Sequence, residues 1–273
     1  MRKYLAVTLA ALAALALAGI ATATARAGIQ SIDAKLTPRK LPKQKFRPAK
    51  IRIDIETQNN DQGSGSFANQ PPAATRTIVD FPANMRFNTR AAPRCKVGSA
   101  ALAGTTTRQA IRLCGRRSIV SVNPSRAVQR VGSLSGWTDY DFVVTAFNGK
   151  RRNTLFLHAR GQLLPITAVL VGRLKRGPKG YGKSLDVKVP VLAAGGIRTF
   201  ETTVKHGKFV QARCKSRRMK FRARSTYASG PDTDHTPTRA TDRSTCRRKR
   251  AHKRRHGHHR GHRSDHRGQR SHR

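Results

Sequence analysis

The chain has 273 residues, of which 56 are lysine or arginine and 13 are aspartate or glutamate, so its formal net charge is +43. A field of this strength attracts polyanions and opposes self-association, and we therefore expect a monomer with anionic partners. After residue 27 no stretch approaches the roughly 20 apolar residues that a membrane-spanning helix needs, which excludes such a helix from that part of the chain.

Residues 1–27 have the pattern of a cleaved secretory signal. Arg2 and Lys3 precede the apolar run LAVTLAALAALALAGIA, and Ala25-Arg26-Ala27 forms an A-x-A cleavage site. The length of the apolar run favours a retained membrane anchor as the alternative, but its alanine-rich core is only weakly hydrophobic. We expect export and removal of residues 1–27, giving a secreted or envelope-associated chain with a charge of about +40.

The next segments combine an irregular stretch with a clear strand. Residues 28–50 contain prolines and lysines with few apolar side chains, which indicates an extended lead-in and not a helix. In residues 51–56 (IRIDIE) isoleucine alternates with polar residues, which predicts a half-buried strand. Further alternation follows in RTIVDF and MRFNT. The segment between Cys95 and Cys114 is compatible with either a short helix or a strand.

From Ser118 onward the β signal dominates. Segments rich in β-branched and aromatic residues are separated by glycine-containing turn signals, and FNGKRRNTLF and VKHGKFV are typical of hairpins. No long amphipathic helix lies between them. The pattern predicts an all-β fold, an antiparallel β-sandwich over residues 51–246, and the length allows one large β domain or two small ones.

The C-terminal segment, residues 247–273, is almost wholly charged. It contains 12 lysines or arginines and one aspartate, Asp265. Such a composition cannot bury an apolar core, so we predict a disordered basic C-terminal tail.

The four cysteines are Cys95, Cys114, Cys214 and Cys246. An even number in an exported chain indicates two disulfides, and three pairings are possible. Short intervening loops favour Cys95–Cys114 and Cys214–Cys246. The alternative, a zinc site, needs cysteines in close pairs, and no two cysteines here are that close.

The order of these features resembles a group of uncharacterised secreted proteins of high-GC Gram-positive bacteria. The resemblance covers about residues 35–246 and is carried by LTPRKLPKQKFRPAKIRI, VDFPANMRFNTRAAPRC, VTAFNG, VPVLAAGGIRTFETTVK and FRARSTY. It implies an all-β exported domain and the same disulfide pairing. It implies no catalytic residues, and the basic tail is not part of the shared pattern.

Two short motifs resemble nucleotide-binding or hydrolase signatures, and we expect neither to be functional. GPKGYGKS (177–184) fits the phosphate-loop pattern, but that chemistry needs a helix after the loop, and LDVKVPV predicts a strand. GSLSG has Leu134 where a nucleophilic serine is required. The histidines outside the tail, His158, His206 and His235, have no triad motif around them, and we expect His158 to be packed in a strand.

Two carboxylate pairs are the remaining candidates for catalysis. Asp54 with Glu56, and Asp139 with Asp141, are spaced so that both side chains of a pair leave the same face of a strand. A glycosidase places its acid and base in this way, but solvent-facing strands with arginine counter-ions look the same. Residues 232–234 suggest a calcium loop, yet the glycine and the final glutamate of such loops are missing.

The tail supports three interpretations: a solvated extension without a partner, a metal site and a hook for polyanions. Neutral imidazoles could chelate a metal ion, although the surrounding cations repel it; the candidate ligands are His256, His258, His259 and His262. Aromatic residues for base stacking are absent, so specific nucleic-acid recognition is not expected. The densest group of candidate polyanion-binding residues is Arg247, Arg248, Lys249, Arg250, Lys253, Arg254 and Arg255.

The sequence thus predicts an exported, non-enzymatic β-domain protein that associates electrostatically with anionic envelope or extracellular polymers. No catalytic residue and no cofactor are predicted. The alternatives are a wall-polymer hydrolase built on an Asp/Glu pair, and metal binding by the histidines of the tail.

Overall fold

The computed structural model describes residues 28–59, 71–122, 125–133, 136–190, 195–205, 207–228 and 237–248, and these residues form mainly β-strands. The helix α1 spans Thr107–Cys114. Short 3-10 turns span Ala100–Leu102 and Arg116–Ser118. The strands are β1 (Gly28–Thr37), β2 (Lys40–Leu41), β3 (Arg47–Pro48), β4 (Lys50–Asn59), β5 (Ala74–Pro82), β6 (Met85–Phe87), β7 (Ser125–Ser133), β8 (Gly136–Asn148), β9 (Thr154–Gly161), β10 (Thr167–Arg176), β11 (Tyr181–Lys188), β12 (Gly196–Val204), β13 (Val210–Ala212), β14 (Arg218–Tyr227), β15 (Thr238–Thr245) and β16 (Arg247–Arg248).

Eleven strands form one antiparallel sheet in the order β1-β4-β12-β7-β8-β9-β10-β11-β5-β14-β15. The sheet curls until its two edge strands approach each other. At this seam the Ala34 amide donates to Asp242 Oδ2 at 2.9 Å, and Gln30 Nε2 donates to Ser225 Oγ at 2.8 Å. The predicted all-β, antiparallel fold is confirmed, and the strands that face each other across the core belong to a single continuous sheet.

The core lies inside this curled sheet because alternate residues of each strand point inward. Ile51, Ile53 and Ile55 of β4 are buried, as the alternation in IRIDIE predicts. Phe209 and Phe221 are wholly inaccessible to solvent and belong to the same apolar cluster. One apolar core therefore extends along the whole sheet and contains side chains from strands between β1 and β15.

The two ends of the sheet differ. At the small-sheet end, where β4 begins and β15 ends, β3-β13-β6 and β16-β2 form two further sheets. β13 joins β4 there through the Ala49 amide, which donates to the Val210 carbonyl at 2.9 Å. At the opposite end, the hairpin end, lie the β7–β8 hairpin and the β9–β10 loop, residues 162–166.

A second, smaller core lies on the outer face of β8 and β9, beneath the segment that contains α1. Phe147 and Phe156 pack there against Leu102, Ala110 and the first disulfide. The helix begins with a capping box, in which Thr106 Oγ1 accepts from the Gln109 amide and the Gln109 side chain accepts from the Thr106 amide. The segment between Cys95 and Cys114 is therefore a helix at its C-terminal end.

Both predicted disulfides, Cys95–Cys114 and Cys214–Cys246, are formed. The FNGKRRNTLF hairpin is also confirmed as β8–β9, but VKHGKFV is not a hairpin. β13 pairs with β3 and β6 instead of β12, because Val210 and its neighbours close the small-sheet end. Among the helices of the described residues, none has the length and apolar character required to cross a membrane.

Two predicted boundaries are displaced. Residues 28–37, assigned to the lead-in, form β1, whose buried Ile32, Ala34 and Leu36 complete the core; the sheet therefore begins at Gly28 and not at Ile51. Arg247 and Arg248, assigned to the tail, pair with β2. The predicted signal and residues 249–273 lie outside the described residues.

Candidate functional site: a basic surface at the small-sheet end

The described residues contain 43 lysines and arginines but only 9 aspartates and glutamates. Within them, nine of these cations lie within 4.0 Å of a carboxylate oxygen. The other cations have no carboxylate partner in this part of the chain. The excess of positive charge is thus a property of the folded body as well as of the tail.

Unpaired cations from three distant segments meet at the small-sheet end, next to the second disulfide. The Arg247 amide donates to the Arg39 carbonyl at 2.7 Å, and Arg248 Nη2 donates to the Lys215 carbonyl at 3.0 Å. We call this group the small-sheet basic surface; its members are Arg39, Lys40, Lys43, Lys45, Lys215, Arg217, Arg218, Arg247 and Arg248.

The Cys214–Cys246 bridge holds these segments together. The Cys214 amide donates to the Pro42 carbonyl at 2.8 Å, and the Cys246 amide donates to the Arg217 carbonyl at 2.9 Å. All nine cationic side chains are exposed, and none forms an ion pair within the described residues. The surface is therefore available to anions from solution.

Next to Lys45, a member of the basic surface, two further arginines stack on Phe46. The guanidinium carbons of Arg86 and Arg213 lie 4.3 Å and 4.5 Å from the ring centroid. Arg86 also donates to Gln211 Oε1 through Nε and Nη2. These contacts fix the orientation of the two guanidinium groups, which add positive charge next to the surface.

The structure brings two of the seven predicted polyanion-binding residues, Arg247 and Arg248, into this surface. The other five, Lys249, Arg250, Lys253, Arg254 and Arg255, lie outside the described residues, as do the candidate metal ligands His256, His258, His259 and His262. Sequence reasoning missed the contribution of residues 39–45 and 215–218. The signal that would have found them is the density of lysine and arginine around Cys214 together with the Cys214–Cys246 pairing.

The predicted pair Asp54 and Glu56 lines an open groove of about 380 Å³ on the outer face of β1, β4, β12 and β7. Asp33, Asp54 and Glu201 lie side by side on adjacent strands in this groove. Arg52 bonds to Asp54 and, through Nη2 at 2.9 Å, to Glu201. The groove is thus a local cluster of carboxylates on the outside of the sheet, open to solvent, in which Asp54 and Glu201 share the counter-ion Arg52.

The second predicted pair, Asp139 and Asp141, is held by arginines. Arg130 and Arg198 both donate to Asp139, and Arg126 Nη2 lies 2.5 Å from Asp141 Oδ1. The hydrogen bond from Arg130 lowers the pKa of Asp139 below its usual value. A general acid needs a raised carboxyl pKa, so this environment favours a structural ion pair.

The remaining motifs have structural roles or lie outside the described residues. The first half of the phosphate-loop match forms the turn of the β10–β11 hairpin, and its second half, from Tyr181, already belongs to strand β11. His158 is wholly buried and contacts Thr105, as expected of a packed histidine. Leu134, His206, His235 and residues 232–234 fall outside the described residues. Among the described residues, no group of three His, Cys, Asp or Glu side chains is arranged to hold a metal ion.

An apolar cavity of about 60 Å³ lies inside the sheet, between β7, β8, β9, β10 and β12. Small side chains leave this space open, notably Ala127, Ala159 and Ala168. No titratable side chain lines it. The cavity therefore provides no acid, base or nucleophile.

Comparison with known families finds no family model that matches this chain, and no curated protein matches its sequence. The function must therefore be argued from the residues and their geometry.

Proposed function

We propose that this chain is an exported, non-enzymatic β protein that associates electrostatically with anionic envelope or extracellular polymers. The observation that carries the proposal is the small-sheet basic surface, where nine exposed cations lack carboxylate partners within the described residues. The residues that follow it, 249–255, add five more cations to the same end of the chain. The surface and this segment together carry fourteen lysines and arginines.

Charge of this kind binds a polyanion by releasing the counter-ions condensed on the polymer. Binding should therefore weaken steeply as salt rises, in proportion to the number of cations engaged. It should strengthen below about pH 6.5, where the histidines of the tail become protonated. A site that depended on shape or on hydrogen bonds alone would show neither dependence strongly.

The test is a sedimentation assay of the secreted protein with isolated cell-envelope fractions across a salt gradient. The full chain and a chain that ends at Arg248 are compared, so that the basic surface is retained in both. We expect salt-sensitive binding by both, with a smaller salt slope for the truncated chain because it has lost ten cations. Binding that survives half-molar salt would contradict the electrostatic proposal.

A hydrolase acting on wall polymers is the second candidate, and the acidic groove is the observation that favours it. Asp54 and Glu56 line that groove together with Asp33 and Glu201. The test is release of reducing ends or soluble fragments from the envelope polymer by the wild type and by Asp54→Asn with Glu56→Gln. Release that the double substitution abolishes, with polymer binding unchanged, would establish the enzyme.

A further inference from the structure

The hairpin end of the sheet exposes apolar side chains on two neighbouring hairpins. Leu163 in the β9–β10 loop is 80% exposed, the highest value for a large apolar residue in the described part of the chain. Ile166 in the same loop and Trp137 at the start of β8 are about half exposed, at 49% and 50%. Exposed apolar groups concentrated at one end of a highly charged protein are typical of a binding surface.

Hydrogen bonds hold the β9–β10 loop in this conformation. The Gly161 amide donates to the Ile166 carbonyl, and the Gln162 amide donates to the Asp141 carbonyl, both at 2.9 Å. Arg160 Nη1 donates to the Pro165 carbonyl at 2.9 Å. The second bond ties the loop to β8, the strand that begins with Trp137. The exposure of Leu163 is thus a fixed feature of the loop.

Arginine side chains lie directly behind the exposed apolar residues. Arg160, at the base of the loop, also donates to Thr167 Oγ1 and has no carboxylate partner among the described residues. The guanidinium carbon of Arg130 lies 5.1 Å from the centroid of the Trp137 ring. Arg130 and Arg198 share the single carboxylate of Asp139, which leaves an excess of positive charge beside the tryptophan.

A bilayer that contains anionic lipids complements this arrangement. Apolar tips enter the boundary between headgroups and acyl chains, while arginines just behind them meet the lipid phosphates. Tryptophan favours the same boundary because its ring is apolar and its N–H can still find a hydrogen-bond partner. A second copy of this chain is a poorer match, since 43 cations against 9 carboxylates in the described residues make two copies repel each other.

We propose that the hairpin end docks on an anionic lipid surface, with Leu163, Ile166 and Trp137 inserted at the headgroup boundary. The small-sheet basic surface lies at the opposite end of the sheet and stays free for polymer. The proposal therefore adds a second binding surface and does not require that the first one binds.

Trp137 is the single tryptophan of the chain, so intrinsic fluorescence reports directly on the proposed surface. The experiment titrates the secreted protein with vesicles of phosphatidylcholine alone and of phosphatidylcholine with phosphatidylglycerol. We expect a blue shift with the anionic vesicles only. Leu163→Ser with Ile166→Ser should weaken vesicle binding at least tenfold, because two large apolar side chains no longer leave water.

The matched control replaces two partly exposed apolar residues away from this end, Leu113→Ser with Val122→Ser, which are 39% and 40% exposed in the wild type. This control should bind vesicles like the wild type, and circular dichroism should show that both double variants are folded. The protein could instead bind vesicles without a blue shift and without any effect of the loop substitutions. That result would mean adsorption by distributed charge alone, and it would overturn the proposal whatever the result with polymers. A wild-type dimer that the loop substitutions dissociate would overturn it as well, because the surface would then be an interface between copies.

Discussion

Arg222 and Asp80 form an ion pair in which the carboxylate is wholly inaccessible to solvent. Arg222 Nε donates to Asp80 Oδ2 at 2.6 Å. Arg222 lies on β14, directly opposite Asp80 on the neighbouring strand β5. Ser184 on β11 donates to the other carboxylate oxygen at 2.5 Å. One carboxylate thus connects the three strands β11, β5 and β14 through their side chains.

Replacing Asp80 by asparagine should lower the free energy of unfolding by about 3 kcal/mol, because the change leaves the mostly buried Arg222 without its counter-charge. The measurement is equilibrium unfolding in urea. The matched control is Asp33→Asn, whose ion pair with Lys35 is exposed and should contribute less than about 1 kcal/mol. Equal effects of the two substitutions would mean that the buried pair stabilises the protein no more than the exposed pair does.

His158 should make stability depend on pH. Its Nε2 lies 3.1 Å from the Thr105 carbonyl oxygen, and burial, with a smaller effect of Arg160, lowers the pKa of the imidazole. Because the unfolded chain then binds the proton more readily, the full contribution is present above about pH 6.5 and is lost as the pH falls below that value, at up to about 1.4 kcal/mol per pH unit. His158→Gln should show a flatter profile in denaturation between pH 8 and pH 5; parallel profiles would contradict the assignment.

The Cys214–Cys246 disulfide should control polyanion binding more than the Cys95–Cys114 disulfide does. Replacing Cys214 and Cys246 by serine removes the covalent link between residues 246–248 and the segment 214–218, leaving only hydrogen bonds to the carbonyls of Arg39, Lys215 and Arg217, and it should disperse the small-sheet basic surface. We expect weaker binding to an anionic polymer and a smaller salt slope, measured by fluorescence anisotropy. The serine variant of Cys95 and Cys114 is the control, since that bridge lies on the outer face of β8 and β9. Loss of binding in both variants would indicate general unfolding, which circular dichroism would reveal. If neither variant lost binding, the Cys214–Cys246 disulfide would not be needed for the basic surface to bind.

The apolar cavity predicts a stabilising substitution. Ala168→Val adds two methyl groups at its wall and should raise the free energy of unfolding by about 1 kcal/mol, because apolar surface is removed from water without displacing a polar group. An increase in the urea midpoint at constant slope would support this. A decrease would show that neighbouring Leu170 and Phe142 already fill the space.

Much of the fold was predictable because short stretches of sequence already indicate the strands and the turns between them. Alternation in β4 and the turn residues between β8 and β9 reflect which side chains face the core, and both features proved correct. The role of β1 was not predictable in the same way: Pro38 and the lysines that follow obscure the shorter alternation of Ile32, Ala34 and Leu36. β13 was misassigned because its partners, β3 and β6, are remote in sequence.

The sequence predicted that the candidate site carries positive charge, but it identified only two of the residues that form the small-sheet basic surface. Arg247 and Arg248 were identified because they lie in a dense local run. The contribution of Lys40 and Lys215 depends on the path of the chain, because a backbone hydrogen bond from Cys214 to Pro42 joins two segments that are remote in sequence. The exposure of Leu163 had no signal in the sequence, because leucine is more often buried than exposed in folded proteins.

The seam between β1 and β15 has a consequence for biogenesis. Ala34 and Asp242 are separated by 208 residues, so a growing polypeptide cannot close the sheet until nearly all of it has been synthesised. Until then β14 and β1 present unpaired edges that can recruit other chains. Because this contact joins distant parts of the chain, we expect the closing of the sheet to be a late and slow step of folding.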